Sequence, residues 1–163
     1  RQEGKWKKDH QPSHQGNKVS IMKLFGRQKD EKKILFVCVE NAGRSQMAEG
    51  FFKKYAPKGW ASLSAGSRPT PTINPVAVQA MKEVGIDISG QKPKELSEEL
   101  IRASFLKVSM GCIDKTECPA VFVGKFQDWG IEDPKGKSID KVREIRDKIE
   151  EKVKELVTNL ESN

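Results

Sequence analysis

Histidine, tyrosine and long apolar runs are what this 163-residue chain has least of. It carries two His, one Tyr and three Cys. Both histidines, His10 and His14, lie near the beginning of the chain, so any general acid or base in the body has to be another residue type. They stand four apart, as metal ligands on a helix can, but no cysteine or carboxylate cluster supports them and no metal site is read there. No apolar run approaches the roughly 20 residues that cross a bilayer, and no secretory apolar core is visible, which points to a soluble protein without a membrane partner. An odd number of cysteines suits reduced thiols with chemistry better than a secreted disulfide framework, and the cytoplasm is the expected compartment.

The basic excess is local. Formal net charge is +7, yet residues 1–33 hold ten Lys or Arg against four Asp or Glu, leaving 20 basic and 19 acidic residues in the remainder. A nearly neutral body needs no nucleic-acid partner. Residues 1–33 are polar and show no sustained period, so they read as a disordered or expression-derived extension, with Ile21–Phe25 as the only apolar cluster. Residues 34–163 suffice for one domain with its own core, expected to be a monomer. A basic binding module using the tail is the non-enzymatic alternative; against it, only Trp6 and Phe25 interleave aromatic rings with the charge.

What the chain does have is concentrated in Val37-Cys38-Val39-Glu40-Asn41-Ala42-Gly43-Arg44-Ser45-Gln46-Met47. Ile34-Leu35-Phe36-Val37 before it is a short apolar run of strand formers, and Met47, Phe51, Phe52 and Tyr55 after it keep a helical period. Strand, loop and helix in that order aim loop and helix-terminal N–H groups at one spot, a nest for a tetrahedral oxyanion. Cys38 sits at its base, where the helix dipole, the amides and Arg44 favour the nucleophilic thiolate. Arg44 offers a planar fork for two anion oxygens, which a Lys does not. Gly43 lets the backbone curl, Asn41 tolerates positive φ, and Ser45 can cap the helix and donate to the Cys38 sulfur.

From Ile34 onward strands and helices alternate. The first helix is expected over about Gln46–Tyr55, a second strand over Trp60–Ala65, and a helix capped by Asn74 and opened by Pro75 that ends at Gly85. A short helix follows over Pro93–Arg102, then strands at Phe105–Met110 and Ala120–Val123. Ile139, Val142, Ile145, Ile149, Val153, Leu156 and Leu160 form one apolar stripe on a long last helix, Ser138 to about Leu160. Alternation of this kind implies a parallel sheet covered on both faces. Met110-Gly111-Cys112 should open on the same sheet edge as Cys38, with Cys118 further on in Glu117-Cys118-Pro119. By spacing alone these two cysteines are packing residues or redox partners, and they do not match a paired zinc knuckle.

Glu40-Asn41-Ala42-Gly43-Arg44-Ser45-Gln46-Met47-Ala48-Glu49 resembles the phosphate-binding loop of the low-molecular-weight tyrosine phosphatase superfamily and, more narrowly, of the arsenate reductases that share its fold. The resemblance runs from Lys33 to the end of the chain. It implies an α/β three-layer sandwich with a four-stranded parallel sheet and the loop at a strand C-terminus. It also implies that Asp133, in Asp133-Pro134, is the acid that protonates the leaving oxygen, with Glu132 the nearest competitor; by itself Asp-Pro is only a turn signal. The mechanism it implies is reduction of arsenate, for which phosphate and sulfate are analogues. Cys38 attacks arsenic, Cys112 then attacks the Cys38 sulfur and releases arsenite, and Cys118 moves the disulfide to Cys112 and Cys118, where a thioredoxin-type donor reduces it. Asn41, Ser45 and Ser64 match the superfamily's supporting polar network. Some such reductases bind potassium through positions matching Asn41, Glu49 and Ser64 plus a loop carboxylate. Lys92-Pro93-Lys94 stands where that carboxylate belongs, so neither metal nor other cofactor is expected, and the Lys94 ammonium is expected to reach Glu49 instead. The competing enzymatic reading is a low-molecular-weight tyrosine phosphatase. It shares Cys38, Arg44 and Asp133 but commonly follows the acid with aromatic residues, where this chain has Lys135-Gly136.

Overall fold

The computed structural model describes residues 31–111 and 125–163. The expected strand at 120–123, together with Cys112, Cys118 and residues 1–30, lies outside the described residues. Within them the order is β1 (Lys32–Cys38), α1 (Arg44–Tyr55), β2 (Trp60–Gly66), α2 (Pro75–Glu83), α3 (Glu98–Ala103), β3 (Leu106–Ser109), β4 (Gln127–Asp128) and α4 (Ile139–Glu161). The strands form one four-stranded sheet in the order β2-β1-β3-β4, and every neighbouring pair is parallel.

β1 is central because it is apolar on both faces. Ile34 to Cys38 are all buried, the pattern of a strand covered above and below. Side chains alternate across a strand, so Ile34, Phe36 and Cys38 face one way and Leu35 and Val37 the other. The first set packs with Met47, Phe51 and Phe52 of α1, Ala77 and Met81 of α2, and Ile145, Ile149 and Val153 of α4. The second packs with Ala65, Leu96 and Ile101 on the α3 side. This gives the three layers expected from the alternation of elements. From β1 the chain passes to β2 on one side and later to β3 on the other, so the loop after β1 opens at the point where the strand order reverses, where open α/β sheets bind ligands.

Local signals account for most element ends. The Asn74 side chain accepts from Val76 N at 3.0 Å with Pro75 in the first helical position, and Ser138 Oγ accepts from Lys141 N at 3.2 Å. The α4 stripe is buried at Val142, Ile145, Ile149, Val153 and Leu156. The helix expected from Pro93 begins only at Glu98. Ser97 caps it, accepting from Leu100 N at 3.2 Å, and the preceding residues are extended. Gly66 N donates to Lys94 O and Leu96 N to Gly66 O, each at 2.8 Å, so this stretch lies against the end of β2 instead of coiling. β4 is two polar, exposed residues, with none of the apolar signature that marks a buried strand. Among the described residues no helix is long and apolar enough to cross a membrane.

Candidate active site

The loop between β1 and α1 is held by its carbonyl oxygens. Those of Cys38, Val39, Glu40 and Ala42 accept from the amides of Ser67, Arg68, Thr70 and Asn74 at 3.3, 2.8, 3.1 and 2.8 Å. The Asn41 carbonyl accepts from Gln46 Nε2 at 2.9 Å and the Gly43 carbonyl from Met47 N at 2.9 Å. In a trans peptide the C=O of one residue and the N–H of the next point in opposite directions, and no peptide here is cis. Carbonyls taken up by residues 67–74 and by α1 therefore turn the amides that follow them the other way. The Asn41 N–H shows this directly, lying 3.2 Å from the Cys38 sulfur. α1 starts at Arg44, and its N-cap, Gly43, has no side chain to satisfy the open first turn. The result is a concave set of donors with a buried thiol at its base.

Polar side chains fix the thiol in turn. Asn41 has φ 51°, the left-handed conformation that Asn tolerates. Its Nδ2 donates to Ser45 Oγ at 2.7 Å, and Ser45 Oγ lies 2.9 Å from Cys38 Sγ. Ser45 Oγ can accept from Asn41 and still donate its own hydrogen to a Cys38 thiolate. Asn41 Oδ1 accepts from Gln46 Nε2 at 3.0 Å and from Lys94 N at 2.8 Å, and Gln91 Nε2 donates to Gln46 Oε1 at 2.8 Å. Ser45 does not cap α1 as expected, since its hydroxyl is committed to this network. Gly43 has φ −136° and ψ −87°, neither helical nor extended. It is required for space, because a Cβ there would meet Pro134 Cγ at 2.9 Å.

Gly66 is a second close approach. A Cβ on it would fall 2.5 Å from Val39 O and 2.9 Å from Asn41 N. Gly66→Ala should therefore cost about 2 kcal/mol of stability by overpacking and also distort the loop. Chemical denaturation and phosphate inhibition of the same sample check both effects.

Arg44, only 4% exposed, donates through Nη1 to Ile131 O at 2.9 Å, and its Nη2 lies 3.7 Å from Asp133 Oδ2. The segment after β4 is thereby drawn over the loop, and Ile131 N donates to Met110 O at 2.7 Å. The cleft so formed has a volume of about 480 Å³, and Cys38, Arg44, Arg68, Thr72 and Asp133 are among its lining residues. Asp133 lines it; Glu132 does not. Glu132 is paired with Lys141 at 3.3 Å and Lys137 at 3.6 Å, and the Lys141 hydrogen bond holds its carboxyl below the usual glutamate range. Glu132 is thus the weaker candidate for a proton donor. Among the described residues, none that lines the cleft is aromatic.

Behind the loop, Glu49 is buried and accepts from Ser64 Oγ, while its other oxygen accepts from Lys53 Nζ at 2.8 Å. The expected ammonium is present but comes from a different residue. Lys94 Nζ turns to Lys92 O at 3.1 Å, whereas Lys53 lies one helical turn from Glu49 on the same face of α1. With Glu49 engaged by Lys53 and Ser64, and Asn41 Oδ1 by two N–H donors, these residues do not fit a potassium ion, and no step is derived through one. Exchange of sodium for potassium should change activity by less than twofold. Among the described residues no cluster of His, Cys, Asp or Glu is built for a metal.

The structure brings together Cys38 through Ser45, Asp133, Glu49 and Ser64, all anticipated from the sequence. The residues 67–74 that hold the loop, the cleft wall at Arg68, Thr70 and Thr72, and the Gln91–Gln46 support were not anticipated; Arg68-Pro69-Thr70 reads simply as loop. Cys112 and Cys118 lie outside the described residues.

A buried thiol, an arginine fork and a carboxylate gather at one cleft, on a four-stranded parallel sheet at its switch point, in an α/β protein. The chain belongs to the low molecular weight phosphotyrosine protein phosphatase family, whose model matches residues 33–163. It is 40% identical over 132 residues to arsenate reductase 2 of Staphylococcus saprophyticus, spanning 80% of this chain and 99% of that protein. Among solved structures it is similar to the YwlE arginine phosphatase with a phosphorylated active-site serine, with TM-score 0.71, 29% identity, and coverage of 80% of this chain and 97% of that one. It is also similar to the thioredoxin-dependent arsenate reductase of Corynebacterium glutamicum, with TM-score 0.67, 33% identity, and coverage of 88% and 69%.

Proposed function

We propose that the protein reduces arsenate to arsenite and is regenerated by a thioredoxin-type dithiol. The observation that carries this is the engagement of the loop carbonyls by residues 67–74 and by α1, which turns the amides that follow them toward the Cys38 sulfur, as the Asn41 N–H shows. Arsenate has the shape and charge for those donors, and arsenic(V), unlike phosphorus(V), accepts two electrons from thiols. The 40% identity to a protein named arsenate reductase, and a cleft lined by no aromatic ring among the described residues, both favour this substrate over an aryl phosphate.

Cys38 Sγ, as thiolate, forms a bond to arsenic while Asp133 protonates a departing oxygen, which leaves as water. The Cys112 thiolate then attacks Cys38 Sγ. The sulfur–arsenic electron pair goes to arsenic, arsenite leaves, and a Cys38–Cys112 disulfide remains. Attack by Cys118 on the Cys112 sulfur frees Cys38 and forms a Cys112–Cys118 disulfide, which an external dithiol reduces. Strand register supports the first exchange. Val37 is opposite Ser109 and Met110 N donates to Val37 O at 2.9 Å, so the end of β3, two residues before Cys112 in sequence, comes out beside the end of β1 that carries Cys38.

The same thiol, guanidinium and carboxylate suit phosphoryl transfer, and the likeness to an arginine phosphatase favours some residual hydrolysis of phosphate compounds as a second activity. The deciding assay follows NADPH consumption by purified protein with thioredoxin and thioredoxin reductase. Oxidation that depends on arsenate and is inhibited by phosphate is expected. No arsenate-dependent consumption, beside brisk ester hydrolysis, would assign the site to a phosphatase.

A further inference from the structure

Glu40 is an odd residue for a loop that gathers anions. It follows the nucleophile by two positions and lines the cleft, so its charge opposes the ligand that the amides attract. Lys135 answers that charge: its Nζ lies 2.7 Å from Glu40 Oε1, and this pairing raises the lysine above its ordinary value, keeping it protonated. Lys135 also lines the cleft and follows Asp133 by two positions. The pair therefore spans from the anion loop to the acid segment. It joins two other ties between the same pieces, Arg44 to Ile131 O and the close fit of Pro134 on Gly43. An exposed ion pair adds little to stability, so its consequence is sought in the field and width of the cleft.

We propose that Glu40 and Lys135 form a specificity-determining bridge, which keeps the cleft electrically balanced for a small free oxyanion and holds the acid segment in against organic phosphate esters. The proposal rests on the oxyanion-site reading given above. Loss of Lys135 alone leaves an uncompensated carboxylate near a bound dianion and weakens it. Loss of Glu40 alone leaves an ammonium and strengthens it. Loss of both restores the balance but frees the acid segment, so bulkier esters gain access.

The test uses full-length wild type, Lys135→Met, Glu40→Gln and the double variant. Inorganic phosphate affinity is read as protection of the Cys38 peptide from iodoacetamide by mass spectrometry, alongside kcat and KM for arsenate and for p-nitrophenyl phosphate. Lys135→Met should weaken phosphate, and raise KM for arsenate, by about five- to tenfold, from Coulomb interaction across a partly screened cleft. Glu40→Gln should shift both in the opposite direction. The double variant should return to within about twofold of wild-type phosphate affinity while its ester-to-arsenate ratio of kcat/KM rises at least about fivefold. An unchanged affinity in Lys135→Met, a double variant whose phosphate affinity lies well outside twofold of wild type, or an unchanged ratio in the double variant would each overturn the bridge. Failure of phosphate to protect wild-type Cys38 would instead remove the oxyanion site itself, and the bridge with it.

Discussion

Cys38→Ser should lose arsenate reduction and phosphate-ester hydrolysis together, by roughly 10⁵-fold or more, while the protein stays folded and still binds phosphate. The reason is chemical. Serine nearly matches the volume of cysteine, so the buried position between Ser45 and the Asn41 amide can accept it, and the donor cup is built from backbone that the substitution does not touch. What disappears is the anion with polarisable lone pairs. An alcohol in the same cup neither ionises readily nor passes electrons to arsenic. Phosphate binding should hold or tighten, because a thiolate beneath a dianion repels it. Steady-state assays of both activities with isothermal titration of phosphate check the three expectations on one sample.

The second large effect separates the two chemistries. Cys112→Ser and Cys118→Ser should each lower multiple-turnover arsenate reduction by about a thousandfold or more and leave p-nitrophenyl phosphate hydrolysis within about threefold of wild type. Ester hydrolysis needs only the thiolate, Arg44, Asp133 and water. Reduction needs a second sulfur to take the place of arsenic on Cys38, and a third to return Cys38 to service. Cys118→Ser should still release one arsenite per molecule before it stops, whereas Cys112→Ser releases none without added thiol. Undiminished arsenate turnover in either variant would delete the relay.

The parts legible in the sequence are those that a local pattern forces. Ile34 to Val37, apolar without alternation, can only be a strand covered on both sides, and it is. Asn74-Pro75 and the stripe from Val142 to Leu156 mark their helices because caps and periodicity act within a few residues. Cys38, Asn41 and Arg44 stand out because so few residue types meet the chemistry and the positive φ at such spacing. Long-range and backbone-mediated features were not legible. The amides of Ser67, Arg68, Thr70 and Asn74 that set the loop donate irrespective of their side chains, so no residue type announces them. The choice of Lys53 over Lys94 as the partner of Glu49 depends on helix phase set against loop placement. The extended run before Ser97 was hidden by apolar residues that serve α3 and the end of β2 equally well.

In the proposed relay two electrons pass from thiolates to arsenic by way of Cys38, and the oxidation left behind moves to the later cysteines as a disulfide. Reduced protein treated with one equivalent of arsenate in the absence of any reductant, then acid-quenched and mapped by peptide mass spectrometry, tests it most directly. One arsenite per molecule is expected, with a Cys112–Cys118 disulfide in the wild type and a Cys38–Cys112 disulfide in Cys118→Ser. Three free thiols beside unreduced arsenate, with phosphate still bound in the loop, would contradict it.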